Sequence, residues 1–349
     1  MLTIAFPFPL ISTLTRSATA VAMSLAFALS ATGATATLYT KGIFATPEPT
    51  NGGPGQNIVS QPGGGIYHGT HFWLADGISG LVRLNADPNI PGNATQSYEG
   101  FVTGGSYAQI ASDVVHDAIY VADQSSRNSA GIVRLSFTDN EQVSNACFVA
   151  RSLGGRRPSA VALGADGNLY AGFLTSGDIV KLPVGALTPA PGCPLPAPAV
   201  ITIGKSLKGG RVNGLAFVGN DLYIAGKDGL TKIADAASCT GGCLSQTVAG
   251  SASNVGHFGI WSDRADSIYY LRDTNVMVYH LSTGVHQVFA NSGRLPDGTI
   301  TPFSFVGGQS NLLTQDAYGN LWVGDDTSDG KGNATGRVWF ISALQPPVQ

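Results

Sequence analysis

The residues of this chain best suited to chemistry share a local context instead of a motif. Arg157, Arg211, His257 and Gln309 close four glycine-rich steps, Gly154-Gly155-Arg156-Arg157, Gly209-Gly210-Arg211, Gly256-His257 and Gly307-Gly308-Gln309. Gly104-Gly105 makes a fifth such step ahead of Gln109, and Asn213 and Asn311 follow two residues after Arg211 and Gln309. Glycine lets a backbone turn sharply or come close to a ligand. The side chains it would present here, Gln109, Arg157, Arg211, Asn213, His257, Gln309 and Asn311, form a donor-rich set. Two arginines at one mouth suit an anion such as a carboxylate or phosphorylated group. The competing reading is a set of polar residues solvating a water-filled channel. His257 is the acid/base candidate because imidazole titrates near neutrality, although no acidic orienter can be paired with it. Ser-His-Asp hydrolysis has no G-x-S-x-G elbow to support it, and no serine stands out.

A second candidate is the acidic stretch Asp325-Asp326-Thr327-Ser328-Asp329-Gly330, which offers oxygen donors at alternate positions through Asp325, Thr327 and Asp329. A calcium loop of the EF-hand kind would end on a glutamate at its twelfth position, where this chain has Gly336. A solvated hairpin loop is the competing reading. Glutamate occurs only at Glu48, Glu99 and Glu141, which leaves few charged ligands for a hard cation. The four cysteines, Cys147, Cys193, Cys239 and Cys243, allow three disulfide pairings. Cys239 with Cys243 would close a tight loop and leave Cys147 for Cys193. Their spacing does not fit a zinc site.

The elements that must position these residues are constrained by composition. The chain has 349 residues, 43% hydrophobic and 12% charged, with 46 glycines, 19 prolines and a net charge of −3. Disorder requires lower hydrophobicity and more charge. A helical bundle would be starved of its best formers. Nucleic-acid binding lacks a basic stripe. Arg16, the uncharged run from Ala18 to Leu29 and the small-residue step Ala34-Thr35-Ala36 have the layout of a secretory signal peptide over residues 1–36. The alternative is an uncleaved anchor. The mature chain from residue 37 has no candidate span and is expected in the periplasm or outside the cell.

Within residues 37–349 one unit recurs six times: an apolar strand, a turn, an aromatic-bearing strand, a polar loop and a strand of the I-V-R-L kind. The copies begin at Gly65, Ile110, Ser159, Asn213, Phe258 and Asn311. Their marker aromatics, Trp73, Tyr120, Tyr170, Tyr223, Tyr269 and Trp322, fall about fifty residues apart. A period of that length built from short strands predicts an all-β, six-bladed propeller with one four-stranded antiparallel blade per copy. Outer strands are expected at Cys147–Leu153, Ala199–Ile203, Ser245–Ala249 and Gly284–Ala290. The sixth copy runs out of chain before an outer strand, and Thr37–Phe44 is a spare one. It is expected to join the last blade and close the ring, removing an open edge. A sandwich or solenoid is the competing architecture.

Asp166-Gly-Asn-Leu-Tyr170 and Tyr318-Gly-Asn-Leu-Trp322, with the strand ends at Asp76 and Asp123, resemble the NHL-repeat and SMP-30/gluconolactonase-like six-bladed propellers. Function does not follow from that fold. Lactonases of the SMP-30 type would need an acid early in the first blade, where this chain reads Gly63-Gly-Gly-Ile-Tyr-His68. Streptogramin B lyases use a late glutamate that is missing here. The three-histidine zinc site of peptide-amidating lyases finds no motif around His68, His116 or His257. The resulting expectation is an exported, monomeric binding or scaffold propeller whose polar channel mouth meets a small molecule or a protein. The alternative is a metal-dependent lactonase, hydrolase or lyase at the channel, with calcium as the candidate cation.

Overall fold

The computed structural model describes residues 36–38, 62–69, 71–76, 80–85, 95–98, 107–125, 130–138, 143–151, 153–183, 201–205, 210–250, 257–294, 299–305, 312–315, 321–328 and 334–341. They belong to one compact unit, residues 33–349. The first described strand is β1 (Ala36–Leu38). Blade one is β2 (Pro62–His68), β3 (His71–Asp76), β4 (Gly80–Asn85) and β5 (Thr95–Tyr98). Blade two is β6 (Tyr107–Asp113), β7 (Ala118–Asp123), β8 (Gly131–Phe137) and β9 (Val143–Arg151). Blade three is β10 (Pro158–Leu163), β11 (Leu169–Phe173), β12 (Asp178–Leu182) and β13 (Ile201–Lys205). Blade four is β14 (Val212–Val218), β15 (Asp221–Gly226), β16 (Gly229–Ile233) and β17 (Ser245–Gly250). Blade five is β18 (His257–Ser262), β19 (Ser267–Arg272), β20 (Asn275–His280) and β21 (Val285–Ala290). The hairpin β22 (Ser292–Arg294) and β23 (Ile300–Pro302) precedes β24 (Leu313–Gln315), β25 (Leu321–Ser328) and β26 (Ala334–Ile341).

The sixth sheet runs β24-β25-β26-β1-β22-β23. Its fourth strand comes from the front of the chain, with Thr37 opposite Phe340 and Leu38 opposite Trp339 in antiparallel register. The expected ring closure is therefore present over Ala36–Leu38, while residues 39–44 lie outside the described set. One feature exceeds the expectation. β1 pairs on its other side with β22 in parallel, so this sheet has six strands where four were expected. Borrowing β1 leaves its far edge open, and the β22–β23 hairpin covers it.

The inner strands β2, β6, β10, β14, β18 and β24 touch one another in ring order. Apolar second strands build the cores: β7 and β11 are buried along their whole length. A strand buried on both faces reads as a continuous apolar run. The cores lie in the wedges between blades. Ile66 and Trp73 of blade one pack with Ile110, Ile119 and Val133 of blade two, and corresponding clusters join each later pair. The largest joins blades five, six and one through Tyr269, Trp322, Trp339 and Phe72, with Phe72 stacked on Trp322 at 4.7 Å. The marker aromatics are thus inter-blade anchors.

Close approach of neighbouring inner strands explains glycine near the axis. A Cβ on Gly64 would stand 2.5 Å from the Ala108 carbonyl oxygen and 2.7 Å from Gln109 Cα. Cys239 and Cys243 form the expected disulfide, and Cys243 N–H donates to Ile203 O at 2.7 Å. That loop of blade four is thereby fastened to the outer strand of blade three. Cys147 is also disulfide-bonded, and Cys193 lies outside the described residues.

Candidate functional site

Six inner strands converging on an axis leave a space whose walls are set by the side chains nearest it. A cavity of about 500 Å³ lies there, lined by the second halves of the inner strands and the turns that follow them. Tyr67, Ile110, Leu215, Phe217, Ile260 and Trp261 give it an apolar wall. Val114, Ala165, Gly219 and Arg264, on turns after β6, β10, β14 and β18, form its rim, where Val114 is 81% exposed. Among the described lining residues Arg264 is the one charged side chain, and none is acidic.

Gln109 also lines the cavity. Its Oε1 accepts from Val161 N–H at 3.2 Å and Leu215 N–H at 2.9 Å, and its Nε2 donates to Leu215 O at 2.8 Å. Inner strands turn a row of unpaired backbone groups toward the axis, and one amide with both a donor and an acceptor satisfies three of them. Gln109 thereby ties blade two to blades three and four.

The other candidates from the glycine-rich steps sit toward the opposite end of the inner strands. Asn213 is buried at the start of β14, and Arg211 is exposed just before it. Arg157 precedes β10 and donates from Nε to Gln124 O at 2.6 Å, linking blade three to blade two. His257 begins β18, its backbone opposite Arg272, and its side chain lies outside the described set, as do Gln309 and Asn311. The described residues enclose an apolar cavity toward the strand ends, whereas the polar mouth expected at the strand starts involves side chains outside the described set. Both ends of an inner strand meet loops, and only the glycine-rich end advertised itself. Tyr67 and Phe217 were missed, although each stands six residues before a marker aromatic (Trp73, Tyr223) and was readable from the repeat.

The acidic stretch is no loop as far as Ser328. Asp325 and Thr327 belong to β25, paired with Arg337 and Thr335. The Asp325 carboxylate is fully buried and accepts from Trp339 Nε1 at 3.0 Å and Ser304 N–H at 3.2 Å. The oxygens of Asp325 are thus engaged in holding blade six together. Asp329 lies outside the described residues. Among the described residues no three His, Cys, Asp or Glu side chains group as metal ligands, and no helix is long and apolar enough to cross a membrane.

Comparison with solved structures fixes the architecture. The fold matches the PQQ-bound aldose sugar dehydrogenase of Streptomyces coelicolor at 18% identity and TM-score 0.51, over 81% of this chain and 95% of that one. It matches an auxiliary nutrient binding protein of Bacteroides thetaiotaomicron at 12% identity and TM-score 0.56, over 88% and 76%. The calcium-binding protein regucalcin of Agrobacterium tumefaciens matches at 15% identity and TM-score 0.51, over 81% and 90%. This chain has the six-bladed β-propeller fold. Residues 136–182 also match the strictosidine synthase-like N-terminal family. No curated protein matches the sequence.

In this propeller the Asp-Gly-Asn-Leu-Tyr signature is a blade fastener. Gly167 supplies the positive φ (73°) of the turn. The Asp166 carboxylate accepts from Asn168 Nδ2 at 2.6 Å and Tyr170 OH at 2.9 Å, and pairs with Lys181 Nζ at 2.8 Å. Burial works against the ionised form, but the bonds from Lys181, Asn168 and Tyr170 outweigh it and hold the Asp166 pKa below the ordinary value. Burial and the same carboxylate push the Tyr170 phenol upward. A depressed carboxylate pKa stabilises the fold above its unfolded value near 4, and that contribution is lost as pH falls through the folded value. Asp166→Asn is expected to cost about 1–2 kcal/mol at pH 7 and to narrow its gap from wild type below pH 4, read by urea titration at both pH values.

Proposed function

We propose that this propeller is an exported binding protein that takes a small, mostly apolar ligand into its axial cavity, with an anionic end toward Arg264. The cavity carries the reading. About 500 Å³ lies in the range of small-molecule sites, which combine apolar walls with a few placed polar groups. Tyr67, Phe217 and Trp261 supply aromatic surface, and at roughly 25 cal/mol per Å² a ligand burying about 200 Å² there gains about 5 kcal/mol before ordering costs. Arg264, alone in charge among the described lining residues, sets polarity without the desolvation burden of a buried ion. Use of the same fold by the Bacteroides nutrient binding protein supports a binding role by analogy. Residues 1–36, with the layout of a secretion signal, support export.

The probe is 1-anilinonaphthalene-8-sulfonate, which joins an apolar body to an anion. Saturable one-site binding is expected, with energy transfer from Trp261. Ala165 is an exposed rim residue, so Ala165→Trp should leave the melting temperature unchanged while weakening binding at least tenfold. Arg264→Ala should weaken it about threefold, the difference vanishing at high salt. Equal binding to wild type and Ala165→Trp, or none at all, would overturn the cavity as the site.

A further inference from the structure

We infer that Ser112 is a nucleophile, activated by His68 and Asp117, that hydrolyses carboxylic esters whose apolar acyl group enters the axial cavity. Ser112 is the penultimate residue of β6 and lines the cavity wall. His68 is the last residue of β2, and Asp117 ends the four-residue turn between β6 and β7. His68 Nδ1 stands 2.8 Å from Ser112 Oγ, and His68 Nε2 stands 3.0 Å from Asp117 Oδ1. An ionised carboxylate only accepts, so the ring proton resides on Nε2. Nδ1 then offers its lone pair to the Ser112 hydroxyl, which donates to it. Nucleophile, base and orienter are linked in the order found in serine hydrolases, with the two ring nitrogens exchanged: here Nδ1 faces the serine and Nε2 the carboxylate.

The surroundings hold the histidine, while the Asp117 side chain is 62% exposed. The His68 side chain is 5% exposed, and its ring packs on Phe137 at 4.9 Å, which limits it to one orientation. Asp117 adopts φ 45°, a left-handed conformation that few residues other than glycine take. The second histidine nearby, His116, is engaged by Asp113 at 2.8 Å and leaves His68 to its own carboxylate. The three residues come from two blades, and the sequence separations of 44 and 49 explain why no motif announces them.

In the reaction Ser112 Oγ attacks the acyl carbonyl carbon while its proton passes to His68 Nδ1. The bond from that carbon to the ester oxygen breaks, and the departing alcohol takes the proton. Water then attacks the acyl-serine, losing a proton to His68 Nδ1. The carboxylic acid leaves and the Ser112 hydroxyl is restored. Ester and water thus give acid and alcohol, with no other reactant. Ser112 and His68 are catalytic residues, and Asp117 is a positioning residue. The substrate class rests on the proposed binding cavity, whereas the nucleophile itself does not.

The test is labelling of the full folded protein with a small fluorophosphonate, followed by peptide mass spectrometry, alongside hydrolysis of p-nitrophenyl butyrate. Stoichiometric modification of Ser112 is expected, with none in Ser112→Ala. Asp117→Asn, which keeps a residue tolerant of the turn, should retain the melting temperature. It should cut hydrolysis at least a hundredfold and displace the rise of rate with pH that reports His68. A folded protein unlabelled at Ser112, or an Asp117→Asn variant labelled and hydrolysing as wild type does, would overturn the inference and make the network a fastener between blades one and two. Failure of naphthalene sulfonate binding with Ser112 still labelled would instead remove the binding-site reading alone.

Discussion

Gln109→Ala is expected to destabilise the propeller by about 3 kcal/mol and to lower its melting temperature by roughly 5–10 °C. The substitution removes the two bonds accepted by Oε1 and the one donated by Nε2, leaving Val161 N–H, Leu215 N–H and Leu215 O without their partner. A buried polar group left unsatisfied costs about 1–3 kcal/mol, and water entering the adjoining cavity recovers part of that for three such groups. Gln109→Met keeps the volume and length of the side chain while deleting every polar atom, so it separates hydrogen bonding from packing. It should lose nearly as much as alanine. A Gln109→Met variant with wild-type stability would show that the bridge contributes nothing. If ligand affinity fell while stability held, Gln109 would return to the ligand-contacting role its place after Gly104-Gly105 suggested.

The fate of Gln109 shows where the sequence stops being informative. Its position near the axis followed from the repeat, because the marker aromatics fix the register of every blade, and four of the six markers prove fully buried. An amide that satisfies backbone groups and one that binds a ligand look the same in one dimension, so its task was not legible. Asp325 repeats the lesson. Alternating oxygen donors suggested a loop, but alternation is also the period of a strand, and Trp339, fourteen residues on, decides the matter by donating to its carboxylate. The outer strands at Ser245 and Val285 were readable because every four-stranded blade needs one after its third strand. The β22–β23 hairpin was not, since three-residue strands leave no periodicity to detect. Ser112, His68 and Asp117 were the least accessible of all, each unremarkable until two blades bring them within hydrogen-bonding distance.

Ring closure is expected to yield the other large effect: removing residues 1–38 should lower the melting temperature by at least 10 °C and promote association, whereas removing residues 1–35 should do neither. Among the described residues, β1 is the strand that joins β26 to the β22–β23 hairpin in the sixth sheet. Without it, the outward edge of β26 presents unpaired backbone groups to any other strand, which is the usual route to edge-to-edge association. The hairpin loosens as well, and Gly293 of β22 lies so close to the Trp339 ring that a Cβ there would overlap it. Trp339 is wholly buried and packs against Phe303 at 5.4 Å. Uncovering about half of an indole of roughly 200 Å² costs about 2–3 kcal/mol in addition to the lost backbone pairs. Tryptophan emission should therefore shift to longer wavelength in the shorter chain, before any heating. Cleavage after Ala36 would keep both antiparallel pairs, Thr37 with Phe340 and Leu38 with Trp339, so export processing at that point is compatible with a closed ring. Leu38→Pro, which removes an N–H without shortening the chain, should reproduce part of the loss. Equal melting and emission in the two truncated chains would show that the ring holds without its front strand.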